Sequence, residues 1–388
     1  MHNRTVILEN MRWELQPTPV NNFWTGLAES PELELLVAVA DSGANTRIMT
    51  STTGASWDIR ASPANNNWHG VAWSRELQLF VSIAAAGVNS QRVMTSVDGV
   101  NWNLWTPPTT ISWKNPVWVR ELGRFVVVAD TADPNQCMTS PDGQVWTERA
   151  TPVSNAWNGV AWSPDIHLLV AVASTGMNDR VMTSSDAKTW TIRESAANHE
   201  WSAVAWSPKL KLFAAVPTTG FDIMTSPDGV QWTARTIPAH AGWASIVWSA
   251  ELELFLAVSQ SGTSTGVLFS EDGLQWDTTT TPLGDWQSVV WSRRLGSFVA
   301  VASDGVSNNR VMTWSLCWFN GSTVWDKNST HCIRSECSES SAHWQEQCIY
   351  ASCPWGHLAV NGECYFELTP QGSCHSKEDI HTCPSPDF

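Results

Sequence analysis

One unit marked by tryptophan recurs seven times along this chain and leaves few folds open to it. The units open at Trp24, Trp68, Trp113, Trp157, Trp201, Trp243 and Trp286, at intervals of 44, 45, 44, 44, 42 and 43 residues. A full unit, as from Trp157 to Arg193, reads W-x-x-V-A-W-S-P, then an apolar run, a Gly/Asn-rich loop and R-V-M-T-S-x-D-x-x-x-W-T-x-R. Within it, Gly159 to Trp162, Leu168 to Ala173, Arg180 to Thr183 and Trp190 to Arg193 have the β-branched and aromatic content of short strands, each bounded by turn residues. Four strands per unit, with connections too short for crossover helices, predict an all-β chain in which each unit is a propeller blade. Seven units predict seven blades.

The ends of the array predict closure. The last unit has its first three strands, Trp286 to Trp314, with no fourth after them, whereas TVILENMRWELQP at Thr5 to Pro17 reads like the end of a unit, with Trp13 in the place of Trp57. The expectation is that Met11 to Gln16 supplies the outer strand of the seventh blade, removing the free edges of an open array. Residues 1–315 would then be the propeller and 316–388 a separate C-terminal module.

The turns Ser96 to Trp102, Ser140 to Trp146, Ser226 to Trp232 and Ser270 to Trp276 share S-x-D-G-x-x-W. They resemble the Asp-box of sialidases, sortilin-type receptors and plastid photosystem-assembly propellers, one residue shorter than the usual form. The aspartate is expected to accept backbone N–H bonds and the glycine to take positive φ, which is a structural role. The first unit (STTGASW) lacks the Asp and the fourth (SSDAKTW) the Gly. Across residues 5–315, the repeats also resemble tryptophan-rich propellers of large viruses, phages and marine microbes. That resemblance implies the fold and a surface setting.

Sialidase chemistry is argued down by composition. That family uses a tyrosine nucleophile and an arginine triad, and the two tyrosines here, Tyr350 and Tyr365, lie beyond the repeats. Arg47, Arg92, Arg180 and Arg310 recur at one position of the unit, so they read as strand-end partners on separate blades. The acids Glu32, Glu76, Glu121, Asp165 and Glu251 in the S-P-E-L turns read as solvated. No triad, zinc-protease or phosphate-loop motif stands out, no cofactor is expected, and the propeller reads as a nonenzymatic binder. A glycan-cleaving enzyme and a structural assembly component are the alternatives.

Strand order says where binding belongs. The S-P-E-L and D-G turns share one face, and the loop after the second strand and the loop leading into the next Trp share the other. The latter loops vary while the rest of the unit does not, and function on a rigid scaffold sits on such loops. Their amides beside a flat indole suit sugar recognition. The candidate ligand-binding residues are Asn22, Asn67 and Asn155 before the Trp, Asn45, Asn89, Asn178 and Asn308 in the other loop, His199, and the rings of Trp68 and Trp157. The expected partner is a host surface glycan or protein receptor, with repeated weak sites giving avidity.

Glu29 stands where the other units have Trp73, Trp118, Trp162, Trp206, Trp248 and Trp291. Drift between units is the leading reading, with a special site or a blade junction as the others. Cys137, in place of the Val of R-V-M-T, reads as a buried free thiol.

From about Leu316 the composition changes, and the tail holds Cys317, Cys332, Cys337, Cys348, Cys353, Cys364, Cys374 and Cys383. The even count and the repeated C-x4-C-x10 spacing predict a disulfide-stapled module of open connectivity, with zinc as runner-up because histidines lie nearby. CPWGHLAVNGEC resembles short modules of secreted and virion-surface proteins. Disulfides and the sequons at Asn3, Asn320 and Asn328 point to an oxidising location, whereas MHNRTVILENMRWELQ lacks the apolar core of a signal peptide. A virion surface reconciles the two, with an extracellular setting as the broader form, and the tail would bind other virion or surface components. No apolar run approaches the roughly 20 residues of a membrane span. With 22 basic and 37 acidic residues the formal charge is −15, which disfavours nucleic acid as a partner.

Overall fold

The computed structural model describes residues 12–88, 90–131, 133–239, 242–305 and 308–315, and the backbone of four short strands beyond them. Residues 12–294 and 298–314 form one compact unit. It contains seven four-stranded antiparallel sheets, each built from consecutive strands except the last. The fourth blade is representative: Trp157–Ser163, Leu168–Ala173, Val181–Ser184 and Thr191–Arg193, paired in that order. The seventh sheet runs Gly284–Ser292, Ser297–Gly305, Val311–Ser315 and then Arg12–Gln16. In the third blade Pro116 shortens the first strand to Val117–Val119, and Trp113 keeps only an isolated bridge to Ala129.

The first strands pack against one another in a closed cycle, the seventh against the first, and so surround the axis. Their approach is close enough to require small residues: a Cβ on Gly26 would lie 2.8 Å from the Gly70 Cα, and one on Gly159 2.9 Å from the Ala203 Cα. The second strands are buried nearly throughout, as in Val170, Ala171, Val172 and Ala173. Both faces of each sheet meet a neighbour, so the strands read as continuous apolar runs instead of alternating. The core therefore lies between blades. One cluster joins Val37, Val39 and Ile48 of the first to Trp68, Phe80 and Trp102 of the second.

The seven unit-opening tryptophans are the largest buried side chains, at 0–1% exposure. In four of them the indole reaches back to the preceding loop: Trp68 donates to the Ala64 carbonyl at 3.1 Å, Trp113 to Thr109 at 3.2 Å, Trp201 to Ala197 at 3.2 Å and Trp286 to Pro282 at 3.2 Å. A bulge follows the Trp in five blades. The next side chain can then cap the neighbouring Trp carbonyl, as Thr25 Oγ1 does to Trp68 O at 2.7 Å and Ser202 Oγ to Trp243 O at 2.6 Å.

The S-x-D-G-x-x-W turns are built from internal bonds. Asp98 Oδ1 accepts from the Val100 and Asn101 N–H groups at 2.8 and 2.7 Å, Gly99 N–H donates to Ser96 Oγ at 2.8 Å, and the Trp102 indole donates to Gly99 O at 3.0 Å. Burial opposes ionisation of Asp98, but the bonds from Asn101, Val100 and Ser96 outweigh it and bring the carboxyl down to about 2. In the fourth blade Ala187 occupies the glycine position at φ 60°, a left-handed conformation that carries a Cβ penalty.

Opposite the variable loops, Glu32, Glu76, Asp165 and Glu251 of the S-P-E-L turns are clasped between blades, which corrects the expectation that they are solvated, whereas Glu121 is exposed as expected. Glu32 accepts from the Trp73 indole at 2.8 Å and pairs with Arg75 at 2.7 Å. Glu76 does the same with Trp118 and Arg120, Asp165 with Trp206 and Lys211, and Glu251 with Trp291 and Arg293. Each of these acids thus grips a tryptophan of the next blade and a cation beside it.

Glu29 is the exception that the same geometry explains, and drift between units is corrected. At the junction of the seventh and first blades the polarity is reversed: Arg294 fills the acid position of the turn and Glu29 the tryptophan position. Ser292 Oγ donates to Glu29 Oε1 at 2.5 Å, and Arg294 Nε lies 3.8 Å away. Burial raises the Glu29 carboxyl above the usual range, against Ser292 and Arg294, which lower it. A raised folded pKa means that Glu29 favours the fold while protonated, and this contribution is lost as pH rises through the folded value. Glu29→Gln is therefore expected to melt higher than the parent at pH 7, and the gap should shrink as pH falls into the carboxylate range. A gap that widens on acidification would show that the Arg294 attraction dominates.

A second compact unit takes in residues 1–11, 295–297 and 315–388. Its described backbone comprises two antiparallel hairpins, Trp318–Asn320 with Thr323–Trp325 and His357–Val360 with Glu363–Phe366. The side chains of the eight tail cysteines lie outside the described residues.

Candidate functional site: the variable loop face

The two variable loops of each blade meet on one face, fastened by a repeated staple. Arg180, at the start of a third strand, donates from Nε to Gly176 O at 2.9 Å and from its terminal nitrogen to Ser174 O at 2.9 Å and His199 O at 2.6 Å. It ties its own loop to the connector that enters the next blade. Arg47 repeats this with Gly43, Asp41 and Asn66, Arg92 with Ala85 and Ile111, and Arg310 with Ser303 and Asn22. In the third blade Gln136 holds Thr131 O and Asn155 O instead. These arginines stand on four separate blades and each holds backbone carbonyls, with Arg47 also donating to Asn67 Oδ1 at 3.3 Å and Arg310 lying 3.7 Å from Asp304.

A second fastening comes, in the first, second and fourth units, from an asparagine two residues before the Trp. Asn22 Nδ2 donates to Thr46 O at 2.6 Å, Asn66 to Gln91 O at 2.6 Å and Asn155 to Asp179 O at 2.8 Å, all three buried. Glycines of the facing loops press onto them: a Cβ on Gly43 would lie 2.4 Å from Asn22, and one on Gly87 2.2 Å from Asn66.

The expected ligand residues divide accordingly. Trp68 and Trp157 have no exposed ring face, which corrects their assignment as stacking platforms: the flat surface is consumed by the core between blades. Asn22 and Asn155 are corrected likewise, since their amides are spent on loop carbonyls. Asn67 is exposed and stands one residue past the structural equivalent, Asn66, because the run of three asparagines, Asn65 to Asn67, hides which amide points inward. Asn66→Ala is expected to lower stability by about 1–3 kcal/mol, leaving buried polar groups unmatched, and Asn67→Ala by less than about 1 kcal/mol; urea titration of both variants checks the contrast. Asn45 and Asn178 are exposed at φ 59° and 60° and shape their loops. Asn308 is exposed, and its carbonyl accepts from Thr18 N–H at 2.5 Å. Asn89 lies outside the described residues. His199 is half-buried against the Trp201 ring, with Nε2 3.6 Å from Asp222.

The structure also brings together residues that the sequence reading passed over. In the third unit K-N-P replaces the small residues that follow the Trp elsewhere, and Lys114 pairs with Asp130 at 2.6 Å while Asn115 Oδ1 lies 3.4 Å from His69 Nδ1. Burial and the Lys114 charge push His69 down to about 4, against Asn115 and Asp130. The interruption of the unit pattern was the available signal. On the same face a cleft of about 210 Å³ is lined by Gly262, Leu283, Gly284, Asp285, Asp304 and Gly305; burial and the neighbouring Asp304 raise the Asp285 carboxyl. Cys137 is a buried free thiol pushed up to about 12 by burial, which leaves it protonated and unreactive at neutral pH. Among the described residues no group of three or more His, Cys, Asp or Glu converges to hold a metal, and no helix is long and apolar enough to cross a membrane.

The exposed groups on this face include the loop tips. The residue after the loop glycine is Ala44, Val88, Met177, Phe221 or Thr263, all exposed, and Val88, Met177 and Phe221 are 82%, 84% and 62% accessible. A position that differs in each of these five units is thus held outward.

No protein-family model matches the sequence, and no curated protein matches it at a level that indicates a relative. Solved structures match the fold. A streptogramin B lyase aligns with a TM-score of 0.67 at 8% identity, covering 79% of this chain and 98% of its own. The virginiamycin B lyase of Staphylococcus aureus aligns at 0.66 and 9%, covering 79% and 99%. YCF48 bound to a D1 peptide aligns at 0.57 and 12%, covering 78% and 94%. At these identities the likeness establishes the β-propeller fold of the chain, and the fold alone.

Proposed function

We propose that the chain is a nonenzymatic recognition protein that binds a protein partner through the variable loop face. The observation that carries this reading is the coincidence of variation and exposure at the loop tips, above a fastened scaffold in which every unit-opening tryptophan is buried. A glycan reading relied on those rings for stacking, whereas exposed Val88, Met177 and Phe221 suit apolar contact with a polypeptide. The YCF48 structure adds support in being a propeller of similar fold that was solved with a peptide. In the same reading Arg12–Gln16 closes the ring as the outer strand of the seventh blade, and the cysteine-rich tail is a disulfide-stapled module that joins the protein to other surface components. The setting we assign is a virion surface or the extracellular space, on the cysteine content of the tail and the resemblance of the repeats.

The test uses the full chain with a photo-reactive phenylalanine analogue in place of Val88, or in place of Val97 on the opposite face, exposed to an extract of its source. Protein adducts from position 88 alone are expected. Equal adducts from both positions, or glycan-array binding that survives Val88→Asp with no protein adduct, would overturn the proposal.

A further inference from the structure

The loops of the fourth and fifth blades are fastened to one another on the variable face, and they hold two of its large exposed apolar residues, Met177 and Phe221. Asn178 N–H donates to Asn198 Oδ1 at 2.7 Å, and Arg180 joins the same loop to His199 O. From the other side Thr218 N–H donates to Glu200 O at 2.8 Å and Glu200 N–H to Thr219 Oγ1 at 3.3 Å. Gly220 lies so close to the His199 ring that a Cβ would come within 2.4 Å of it. Three loops are therefore locked into one platform before any ligand arrives, which lowers the ordering cost of binding.

Met177 stands on one side of this platform and Phe221 on the other, 84% and 62% exposed. The connector between them carries exposed Glu200, and Asp222 follows Phe221 with 36% of its side chain accessible. Among the described residues the local cations do not balance these carboxylates outward. Arg180 turns its N–H groups to backbone carbonyls, and His199 is half-buried beside Asp222. The formal charge of −15 adds a long-range field of the same sign.

We infer that this platform binds a cationic segment of a protein partner, in which an aliphatic side chain seats between Met177 and Phe221 and a flanking lysine or arginine meets Glu200 and Asp222. The inference rests on the loop-face reading and names its site and chemistry. Apolar contact supplies the attraction that persists at high salt, and the carboxylates supply selectivity and speed of association.

The experiment measures fluorescence anisotropy of three labelled synthetic peptides with the full chain: alternating Leu and Arg, alternating Leu and Glu, and alternating Gly and Arg. Only the Leu/Arg peptide is expected to bind well, with affinity that falls as salt rises. Met177→Asp and Glu200→Lys are each expected to weaken it about tenfold or more, while Val97→Asp, on the opposite face, leaves it within about twofold. Melting temperatures of the variants, and the milder Met177→Ser, separate lost contact from lost fold. Leu/Arg binding that is insensitive to Met177 and Glu200 but abolished by Val88→Asp would overturn the placement and keep the loop-face reading. Binding lost only on Leu274→Asp, on the opposite face, would overturn both. Equal binding of the Leu/Glu peptide, or no binding of the Leu/Arg peptide by the folded chain, would overturn the inferred chemistry.

Discussion

Deletion of residues 1–18 is expected to leave a protein that unfolds or aggregates under conditions where the full chain is folded. The deleted piece contains Arg12–Gln16, which pairs beside Val311–Ser315. It also contains Trp13, buried to 8% with its ring 6.5 Å from Phe298. Gln16 Nε2 donates to Thr313 Oγ1 at 2.9 Å, and Thr18 Oγ1 to Asn308 O at 2.6 Å. Loss of one buried tryptophan alone costs about 3–5 kcal/mol, of the same order as a small domain's whole margin. The deletion would in addition bare the edge of Val311–Ser315, whose apolar residues would template pairing with other chains. Size-exclusion chromatography and thermal melting check it. A truncated protein that stays monomeric and melts with the full chain would remove Arg12–Gln16 from any role in closure.

Trp157→Ala is expected to destabilise the propeller by about 3–5 kcal/mol, the second large effect. Trp157 is fully buried and belongs to a cluster spanning the third and fourth blades, with Val126, Val128, Leu169 and Met182. The cavity left would open between the third and fourth blades, while Gly159, two residues on, is held by the close approach of the Ala203 backbone in the fifth blade. Met177→Ala, a change of comparable chemistry on an exposed tip, is expected to stay within about 0.5 kcal/mol. Urea unfolding of the pair measures the contrast between a residue that serves the core and one held outward. A Trp157→Ala protein as stable as the parent would mean that the ring is not the packing element its burial implies.

Much of the fold was legible because a repeat carries its own redundancy. The period of about 43 residues, the apolar run at Leu168–Ala173 and the turn at Ser184–Trp190 together imply a four-stranded blade, and the observed strands lie within a residue or two of the expected ones. The division into two faces followed from strand order. The free thiol at Cys137 followed from its place in a strand.

The roles of individual side chains were less legible, because a role depends on what the neighbouring blade presents. Trp68 and Trp157 beside amide-rich loops are compatible with a sugar platform or with a core, and only packing of the inner strands decides for the core. Asn66 and Asn67 are the same residue type in adjacent positions, and the pleat of the entering strand decides which one turns inward to Gln91 O. Glu32 and Glu76 look like solvated turn acids until the next blade brings Trp73 or Trp118 within 2.8 or 2.6 Å. Glu29 looks like drift until closure of the cycle sets it against Ser292, 263 positions away in sequence.

The amino-acid sequence by itself thus determined the architecture: the number of blades, the strands in each and the face on which the loops vary, all of which are local or periodic properties. Only the tertiary structure decided which of those residues are spent on fastening the loops and blades and which are left to meet a partner. Hydrogen bonds and packing across blade junctions join residues about 20 to 45 positions apart, or nearly 300 at the junction of first and last blades, and no local pattern records whether a polar group has already been satisfied there.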